Sequence, residues 1–366
     1  MFKVIKKSKK DSSRIVKFST KSGVIQTPFF MPDATRGYIK SLSKKDLGDV
    51  GMGPMVVNTY HLFLAPGMKI IKKVSGIHKF MDWDKPLLSD SGGYQVFSLI
   101  HKNPKMGKIT DNGVVFRSPL DGSLHNITPE KSIQIQFDLG VDMMVCFDDP
   151  PPNDCGKQKI KAAVERTIEW AKRCKAEYNK QIKKRNLIGK NKPLIFGVIQ
   201  GGPFIDLRKY CAEELVKIGF HGYGFGARHV GKKGKFMSEV LKKTASFIPE
   251  DSLRFALGVG APEDIVRCAS YGWDMFDCVK PTREARHGRI YLGVKSHKYK
   301  VINITNAKFR NDFKSVDESC DCELCRNYSR SYLHHLFKMN ENLGQRLASI
   351  HNLKFYLDLI NRIKKI

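Results

Sequence analysis

The stretch Leu194-Ile-Phe-Gly-Val-Ile-Gln-Gly201 (LIFGVIQG) is an almost continuous apolar run that ends on an amide and a glycine. Similar runs recur along the chain, and several are followed by stretches with helical periodicity. Apolar strands that alternate with helices are typical of a parallel sheet covered by helices, which is the α/β class. The other runs are Phe29–Ala34, Met55–His61, Pro86–Gly92, Met143–Asp149, Tyr223–Ala227, Arg254–Gly260 and Met275–Val279.

Eight such strands in about 250 residues predict a (β/α)8 or TIM barrel. A doubly wound sheet is the alternative, but no GxGxxG motif follows the first strand. We expect the barrel, with an N-terminal extension, to occupy residues 1–304. The helical stretches are Ile160–Lys175, Leu207–Ile218, Met237–Ser246 and Pro262–Tyr271.

The chain is strongly basic. Its 366 residues include 64 Lys and Arg against 36 Asp and Glu, which gives a formal net charge of +28. Such an excess favours a polyanionic partner, nucleic acid first, although a merely solubilising surface is the other reading. No apolar stretch reaches the roughly 18 residues that span a bilayer, and the N-terminus has no signal-peptide core. We expect a cytoplasmic protein that does not enter a membrane.

Polar side chains stand where several predicted strands end. Asp90, Asp148 and Asp277 lie in such ends, and Gln200 ends the run quoted above. In a (β/α)8 barrel the carboxyl ends of the strands meet at one face, where the active site is built. We therefore expect these four side chains to lie together in one site.

Three of the nine cysteines are clustered as Cys320-Asp-Cys322-Glu-Leu-Cys325. Three thiolates this close need one more nitrogen or sulfur ligand to complete a tetrahedral zinc site. The candidates are His334, His335 and His351, of which we favour His351, at the start of the last helix. A Cys₃His set leaves no open position, so one structural zinc ion is expected, in a C-terminal subdomain of residues 305–366 that packs on the barrel.

Several longer motifs carry a family resemblance. The chain resembles the tRNA-guanine transglycosylases, most closely the bacterial kind, from roughly Phe18 to its C-terminus. The motifs are SDSGGYQVFSL (89–99), FGVIQGG (196–202), GVGAPEDIV (258–266), MFDCVKPTR (275–283), CDCELCRNYSRSYLHHL (320–336) and IHNL (350–353).

The resemblance implies a zinc-bearing (β/α)8 barrel that exchanges guanine at the wobble position of tRNAs with GUN anticodons for a 7-deazaguanine, the queuosine precursor. It implies tRNA and the free base as partners, no cofactor besides zinc, and a homodimer. The apolar face of Tyr332, Leu333, Leu336 and Phe337 is consistent with dimerisation, and equally with a core. A non-catalytic RNA-binding partner subunit and a transglycosylase acting on DNA are the rival readings.

The resemblance also assigns roles to single residues. Asp277 matches the nucleophile that forms a covalent ribosyl intermediate, and Asp90 matches the general acid/base. Exchange with retained stereochemistry calls for two such carboxylates. The base-binding positions are Ser91, Gly92, Gly93, Tyr94, Asp148, Gln200, Gly226, Ala227 and Leu257. The RNA-binding positions are Gly258, Val259, Gly260, Ala261, Pro262, Glu263, Asp264, Thr282, Arg283, Glu284, Ala285 and Arg286.

Two stretches depart from the bacterial pattern. After Asp148 the chain reads Asp149-Pro-Pro-Pro152, and it reads Gly226-Ala-Arg-His-Val-Gly-Lys232 where bacterial relatives read GGLAVGE. Arg228 and Lys232 add positive charge, and an ammonium cannot accept a hydrogen bond from the aminomethyl group of the bacterial base. We expect this chain to prefer that base less strongly than its relatives do.

Overall fold

The computed structural model describes residues 2–231, 234–295 and 298–365. The strands of this part of the chain are β1 (Lys3–Lys7), β2 (Arg14–Thr20), β3 (Gly23–Gln26), β4 (Phe29–Pro32), β5 (Met55–Asn58), β6 (Leu87–Asp90), β7 (Gly107–Thr110), β8 (Gly113–Arg117), β9 (Leu124–Ile127), β10 (Met143–Val145), β11 (Leu194–Ile199), β12 (Gly222–Phe225), β13 (Leu253–Ala256), β14 (Met275–Cys278), β15 (Arg289–Lys295) and β16 (Lys298–Asn303). Its α-helices are α1 (Lys44–Asp49), α2 (Thr59–Leu62), α3 (Met68–Lys73), α4 (Ile77–Phe80), α5 (Gly93–Lys102), α6 (Pro129–Leu139), α7 (Lys157–Lys184), α8 (Ile205–Ile218), α9 (Ser238–Ser246), α10 (Pro262–Ser270), α11 (Lys280–Arg286), α12 (Glu323–Asn327), α13 (Arg330–Lys338) and α14 (Asn342–Ile363).

Eight parallel strands form the central sheet, in the order β4-β14-β13-β12-β11-β10-β6-β5. Each of them corresponds to one of the predicted apolar runs. The predicted helical stretches correspond to α7, α8, α9 and α10. Among the described residues, none of the helices has the length and apolar character needed to cross a membrane.

The two end strands of this sheet, β4 and β5, meet and close it. The Ala34 N–H donates to the Val56 carbonyl (2.7 Å), and the Asn58 N–H donates to the Thr35 carbonyl (3.2 Å). A parallel bridge between Asp33 and Val56 belongs to the same seam. The sheet is therefore a nearly closed barrel, which confirms the predicted (β/α)8 fold and excludes the open, doubly wound alternative.

Alternate residues of each barrel strand point into the barrel and outward to the helices. In β11, Phe196 and Val198 belong to the cluster inside the barrel, whereas Ile195 and Ile199 belong to the cluster between strands and helices. Both faces of the strand are buried, so the run has no polar face and reads as continuously apolar.

The antiparallel sheet of β1, β2 and β3 fills the amino-terminal end of the barrel. Its Val16 and Phe18 side chains join the cluster inside the barrel. Beside them the buried Arg14 donates from Nη2 to Asp274 Oδ2 and to the Ser252 carbonyl, both at 2.6 Å. Because this end is filled, the carboxyl ends of the strands form the open face.

The last helix, α14, packs against both the C-terminal segment and the barrel. Leu347 and Ile350 in its first half belong to a C-terminal hydrophobic cluster, whereas Leu353 and Tyr356 belong to the outer cluster of the barrel. The Tyr356 ring lies 4.8 Å from the ring of Phe30 in β4. Helix α14 therefore covers the barrel beside its seam, and the division at residue 304 stays a prediction.

Candidate active site

A cavity of about 560 Å³ opens at the carboxyl ends of the barrel strands. Asp90, Asp148 and Asp277 all line it, and Gln200 lies directly behind Asp148. The structure thus brings the four predicted strand-end residues together. A further carboxylate, Asp33 at the end of β4, lines the same cavity, although no motif had marked it.

Asp277 stands at the end of β14 and is half-buried. Its Oδ1 accepts a hydrogen bond from the Gly258 N–H (2.8 Å). Burial raises the pKa of the Asp277 carboxyl, and the negative charge of Asp33 raises it further. The backbone donor fixes one oxygen, which leaves the other free to face the cavity.

Asp90 stands at the end of β6. Its Oδ2 accepts a hydrogen bond from Asn58 Nδ2 (2.9 Å), and the Asn58 Oδ1 accepts from the His61 N–H (3.2 Å) as the cap of α2. Burial raises the pKa of the Asp90 carboxyl. A carboxyl that holds its proton to a higher pH is suited to acid and base work. The sequence reading had missed Asn58, which looks like an ordinary strand end.

Asp148 and Gln200 form a hydrogen-bonded pair on the floor of the cavity. Gln200 Nε2 donates a hydrogen bond to Asp148 Oδ2 (2.6 Å), so the amide nitrogen of Gln200 is already engaged by Asp148. Within the described residues, the buried Gln200 Oε1 has no hydrogen-bond partner. Burial raises the pKa of Asp148 to about 7, and the charges of Asp90 and Asp149 raise it too. An orphaned buried acceptor beside a carboxyl indicates a ligand that brings its own donors.

The loop after β12 is held tightly against this floor. A Cβ added to Gly226 would lie 2.4 Å from Gln200 Nε2, so only glycine fits there. Ala227 has a positive φ of 64°, which is uncommon outside glycine and asparagine. Ala227 and Arg228 line the cavity, with Arg228 exposed at its rim. Lys232, on which the expected base preference partly rests, lies outside the described residues.

The two stretches that depart from the bacterial pattern are joined. Asn153, which follows the proline run, donates from Nδ2 to the carbonyls of Arg228 (2.7 Å) and Val230 (2.9 Å). Asp149 points the other way and accepts from Arg166 Nη1 (2.6 Å). The proline run and the loop after β12 therefore form one wall of the cavity.

Some of the remaining predicted base-binding residues line the cavity, and others support the residues that line it. Tyr94 is 46% exposed, and Leu257 faces the same cavity, so Tyr94 is not a core aromatic. Ser91 is buried and accepts from the Gly93 N–H through its Oγ (3.2 Å). Gly92 has a φ of 82°, and a Cβ there would lie 2.7 Å from the Tyr60 Cβ. Ser91, Gly92 and Gly93 therefore shape the turn that carries Tyr94, and they do not line the cavity.

The predicted RNA-binding loop forms one side of the cavity mouth, but not all of it is accessible. Val259 and Pro262 are buried, and Glu263 is exposed and accepts from the Tyr299 hydroxyl. The loop residues that line the cavity are Gly258, Gly260, Ala261 and Asp264.

A second, smaller opening of about 290 Å³ adjoins the cavity, and we call it the basic cleft. Arg36, Lys40 and Arg286 line it together with Thr282 and other residues, and Arg283 lines the main cavity beside it. This end of the site can therefore hold an anionic chain.

Arg283 and Arg286 have no carboxylate within ion-pairing distance among the residues that the structure describes. The nearby Glu284 forms ion pairs with Lys280 (2.8 Å) and Arg289 (3.3 Å), and Ala285 is buried. Glu284 is thus a structural group on α11, and the two arginines stay available to a ligand.

Comparison with known proteins shows the family of the chain. The family described as queuine tRNA-ribosyltransferase matches residues 9–366. The chain belongs to this family. Similar proteins of that name come from Thermoanaerobacter pseudethanolicus (44% identical over 364 residues, 100% of this chain and 92% of that protein), Shouchella clausii (44% over 361 residues, 99% and 90%) and Halothermothrix orenii (43% over 352 residues, 96% and 89%). The protein is accordingly an enzyme, a transferase, and the family resemblance read from the motifs is confirmed.

The predicted metal ligands of this family member lie together. Atoms of Cys320, Cys322, Cys325 and His351 that can bind a metal all lie within 4.8 Å of one another. His351 Nδ1 is 3.2 Å from Cys325 Sγ and 3.5 Å from Cys322 Sγ. Tetrahedral geometry with bonds of about 2.0–2.3 Å needs ligand atoms roughly 3.3–3.8 Å apart. The set therefore fits one four-coordinate metal ion.

His351 is oriented for this role by a second contact. Its Nε2 is 2.6 Å from the Tyr291 carbonyl, so Nε2 carries the proton and Nδ1 presents its lone pair to the cluster. The expected position of His351 at the start of the last helix was wrong, because α14 begins at Asn342 and His351 lies in its middle. His334 is excluded as a ligand, since it is buried elsewhere with Nδ1 against the Ile304 carbonyl (2.8 Å).

Cys322→Ser should lower the metal content from about one ion per chain to well below that and should lower the melting temperature, because a closed site contributes to folding. Elemental analysis and thermal unfolding check this. Cys155→Ser, which changes a half-buried thiol outside the cluster, should alter neither quantity. A Cys322→Ser protein that keeps its metal and its melting temperature would contradict the assignment.

A fully buried arginine, Arg208 in α8, holds the backbone under the floor of the cavity. It donates to three carbonyls, from Nε to Gly202 (2.7 Å), from Nη1 to Ile199 (3.1 Å) and from Nη2 to Gly226 (3.1 Å). Its guanidinium also lies 3.7 Å from the centre of the Phe225 ring. Burial lowers its pKa to about 9. Arg208 is thus a positioning residue that joins the ends of β11 and β12.

Arg208→Lys should raise the KM for the free base about tenfold or more and lower kcat less, because lysine cannot serve three carbonyls in this fork geometry. Steady-state exchange kinetics separate the two constants. Arg14→Lys is the matched control, since Arg14 is also buried and also bonds carbonyls, but at the amino-terminal end of the barrel. Both variants should lose stability, and an unchanged KM in Arg208→Lys would leave Arg208 with a purely structural role.

Proposed function

We propose that this enzyme exchanges guanine at the wobble position of GUN-anticodon tRNAs for a 7-deazaguanine, through a covalent Asp277–ribosyl intermediate. One observation carries the proposal: two carboxylates from different strand ends, Asp277 and Asp90, line one cavity whose floor is the hydrogen-bonded pair of Asp148 and Gln200. The membership of the chain in the queuine tRNA-ribosyltransferase family supports the substrates.

The first displacement breaks the bond between guanine and the ribose. An Asp277 oxygen attacks C1′ from the face opposite the base, while Asp90 donates its proton to the ring nitrogen that leaves. The electron pair of the glycosidic bond stays with guanine, which departs as the neutral base. The Gly258 N–H holds the second oxygen of Asp277 in place during the attack.

The second displacement reverses these roles with a new base. Asp90, now a carboxylate, accepts the proton from the ring nitrogen of the incoming 7-deazaguanine. That nitrogen attacks C1′ and releases the Asp277 carboxylate. Two inversions give net retention, so the modified nucleoside keeps the β configuration.

The floor recognises the guanine-like edge of the base. An ionised Asp148 can accept from two neighbouring N–H groups, and Gln200 Oε1 offers a further acceptor. The half-exposed ring of Tyr94 offers a stacking surface for a base taken out of the anticodon loop. The flanking phosphates would be held by the four basic side chains at this end of the site, Arg36, Lys40, Arg283 and Arg286.

We further propose a bound zinc ion, a homodimeric assembly and a cytoplasmic location for this enzyme. The donor set of three thiolates and one imidazole suits zinc, in a structural site within the C-terminal subdomain of residues 305–366. We propose a homodimer through exposed apolar side chains near that site, such as Phe313 (78% exposed) and Tyr332 (38%), since Leu333 and Leu336 belong to the core. Ligand cysteines need reduced thiols, which supports a cytoplasmic location.

Asp277→Asn should lower exchange of labelled guanine into tRNA at least about 10³-fold and abolish the covalent RNA adduct, because an amide cannot act as the nucleophile. Denaturing gels detect the adduct. Asp90→Asn should lose most turnover but still bind tRNA. Near-normal exchange by Asp277→Asn would contradict the mechanism, and exchange into duplex DNA in preference to tRNA would favour the DNA-acting alternative.

The affinity for the free base should fall about tenfold per pH unit below pH 7, because Asp148 has a pKa of about 7 and only its ionised form accepts both N–H groups. Equilibrium binding of labelled guanine between pH 5.5 and 8.5 measures this without turnover. Asp33→Asn removes another cavity carboxyl, whose pKa burial raises to about 7, and should keep the inflection. An affinity that does not change with pH would contradict the role of Asp148.

A further inference from the structure

Asp33 lies between the two strands that organise the proposed chemistry. On one side, β4 pairs with β14 so that Pro32 stands opposite Cys278, the residue after the nucleophile. On the other side, Asp33 itself bridges to Val56 in β5, which ends at Asn58. Asp33 is therefore placed beside Asp277 and near the asparagine that holds Asp90.

Asp33 also lies where the two openings of the site meet. It lines both the main cavity and the basic cleft, a property that it shares with Val279. The base occupies the main cavity in the proposed reaction, and the phosphates lie toward the basic cleft. The ribose connects base and phosphate, so it must lie at this junction.

The Asp33 carboxylate has no hydrogen-bond donor of its own among the described residues. Burial raises its pKa to about 7, the charge of Asp90 raises it too, and Arg283 lowers it without reaching ion-pairing distance. The Asp33 residue is half-buried, and a carboxylate that is partly shielded from water and has no donor is less stable unless it is protonated or a ligand supplies the donor. The available ligand at this junction is a sugar hydroxyl.

Stereochemistry identifies which hydroxyl this is. In a β-nucleoside, the nucleophile must approach C1′ on the face opposite the base. The 2′-hydroxyl of a ribose lies on that same face, next to C1′. A carboxylate that stands beside Asp277 is therefore directed at the 2′ position.

We propose that Asp33 is a specificity-determining residue that accepts a hydrogen bond from the 2′-hydroxyl of the target nucleotide and so restricts the reaction to RNA. This inference rests on the proposed function. A hydrogen bond from a hydroxyl to a charged acceptor discriminates roughly 10- to 100-fold against a substrate that lacks the hydroxyl.

The test compares two RNA anticodon hairpins that differ only in guanosine or 2′-deoxyguanosine at the exchanged position. The ratio of their kcat/KM values for labelled guanine exchange is the deoxy penalty. Wild type should show a penalty of roughly 10- to 100-fold. Asp33→Val, which has a similar volume and no acceptor, should lower the rate on the RNA hairpin and bring the penalty close to one.

Two further variants keep the test decisive. Asp33→Asn retains an acceptor oxygen without the charge and should give an intermediate penalty, even if Asp33→Val folds poorly. Asp264→Asn removes a carboxylate from another wall of the same cavity and should keep the wild-type penalty, whatever its overall rate.

Different outcomes contradict the role of Asp33 and the proposed exchange reaction. An equal deoxy penalty in wild type and in the Asp33 variants overturns the inference. This holds even if the variants differ from wild type in the pH dependence of their exchange rate. A wild type that fails to exchange guanine in the RNA hairpin and in tRNA overturns the proposed function itself.

Discussion

Closure of the barrel between β4 and β5 is the constraint on which the site depends. The seam consists of few backbone contacts, among them the Ala34 N–H to the Val56 carbonyl and the Asn58 N–H to the Thr35 carbonyl. In an open sheet these two strands would be the distant edges. Closure instead places Asp33 between the strand of Asp277 and the strand of Asn58, so that the carboxylates form a ring.

These carboxylates concentrate negative charge in one cavity. Burial raises the pKa of Asp33, Asp90, Asp148 and Asp277, so these carboxyls hold their protons to a higher pH than exposed carboxyls do. Fixed donors such as the Gly258 N–H and Asn58 Nδ2 limit the cost for the two catalytic candidates. Carboxyl groups with such shifted pKa values are typical of functional sites.

The sequence could predict what depends on pattern and spacing. The strand starts at Met55, Leu194 and Met275 were read correctly, because a doubly buried strand has no polar face. Helix α7 extends beyond the predicted Ile160–Lys175, since its ends are polar and carry no apolar period.

What the sequence could not reveal depends on long-range contacts with the backbone. Arg208 sits in a charged stretch that reads as a solvated helix face, yet all its acceptors are carbonyls from other elements. Asn58 and Asp33 are single polar residues at strand ends, whose meaning arises only when the barrel closes. The position of His351 was misjudged because α14 is buried along most of its length, and its periodicity is therefore weak.

Helix α14 makes the C-terminal segment inseparable from the rest of the enzyme. The helix carries His351. The next residue, Asn352, donates a hydrogen bond from Nδ2 to the carbonyl of Pro281, four residues after Asp277 (3.0 Å). One turn later, the Tyr356 hydroxyl donates to the Gly260 carbonyl in the loop that holds Asp277 (2.6 Å). Helix α11 has only seven residues, and the second half of α14 packs on the outside of the barrel beside it. A truncated chain that ended before Asn342 would not be a minimal catalytic unit but a barrel with one wall missing, and the segment cannot be exchanged as a module.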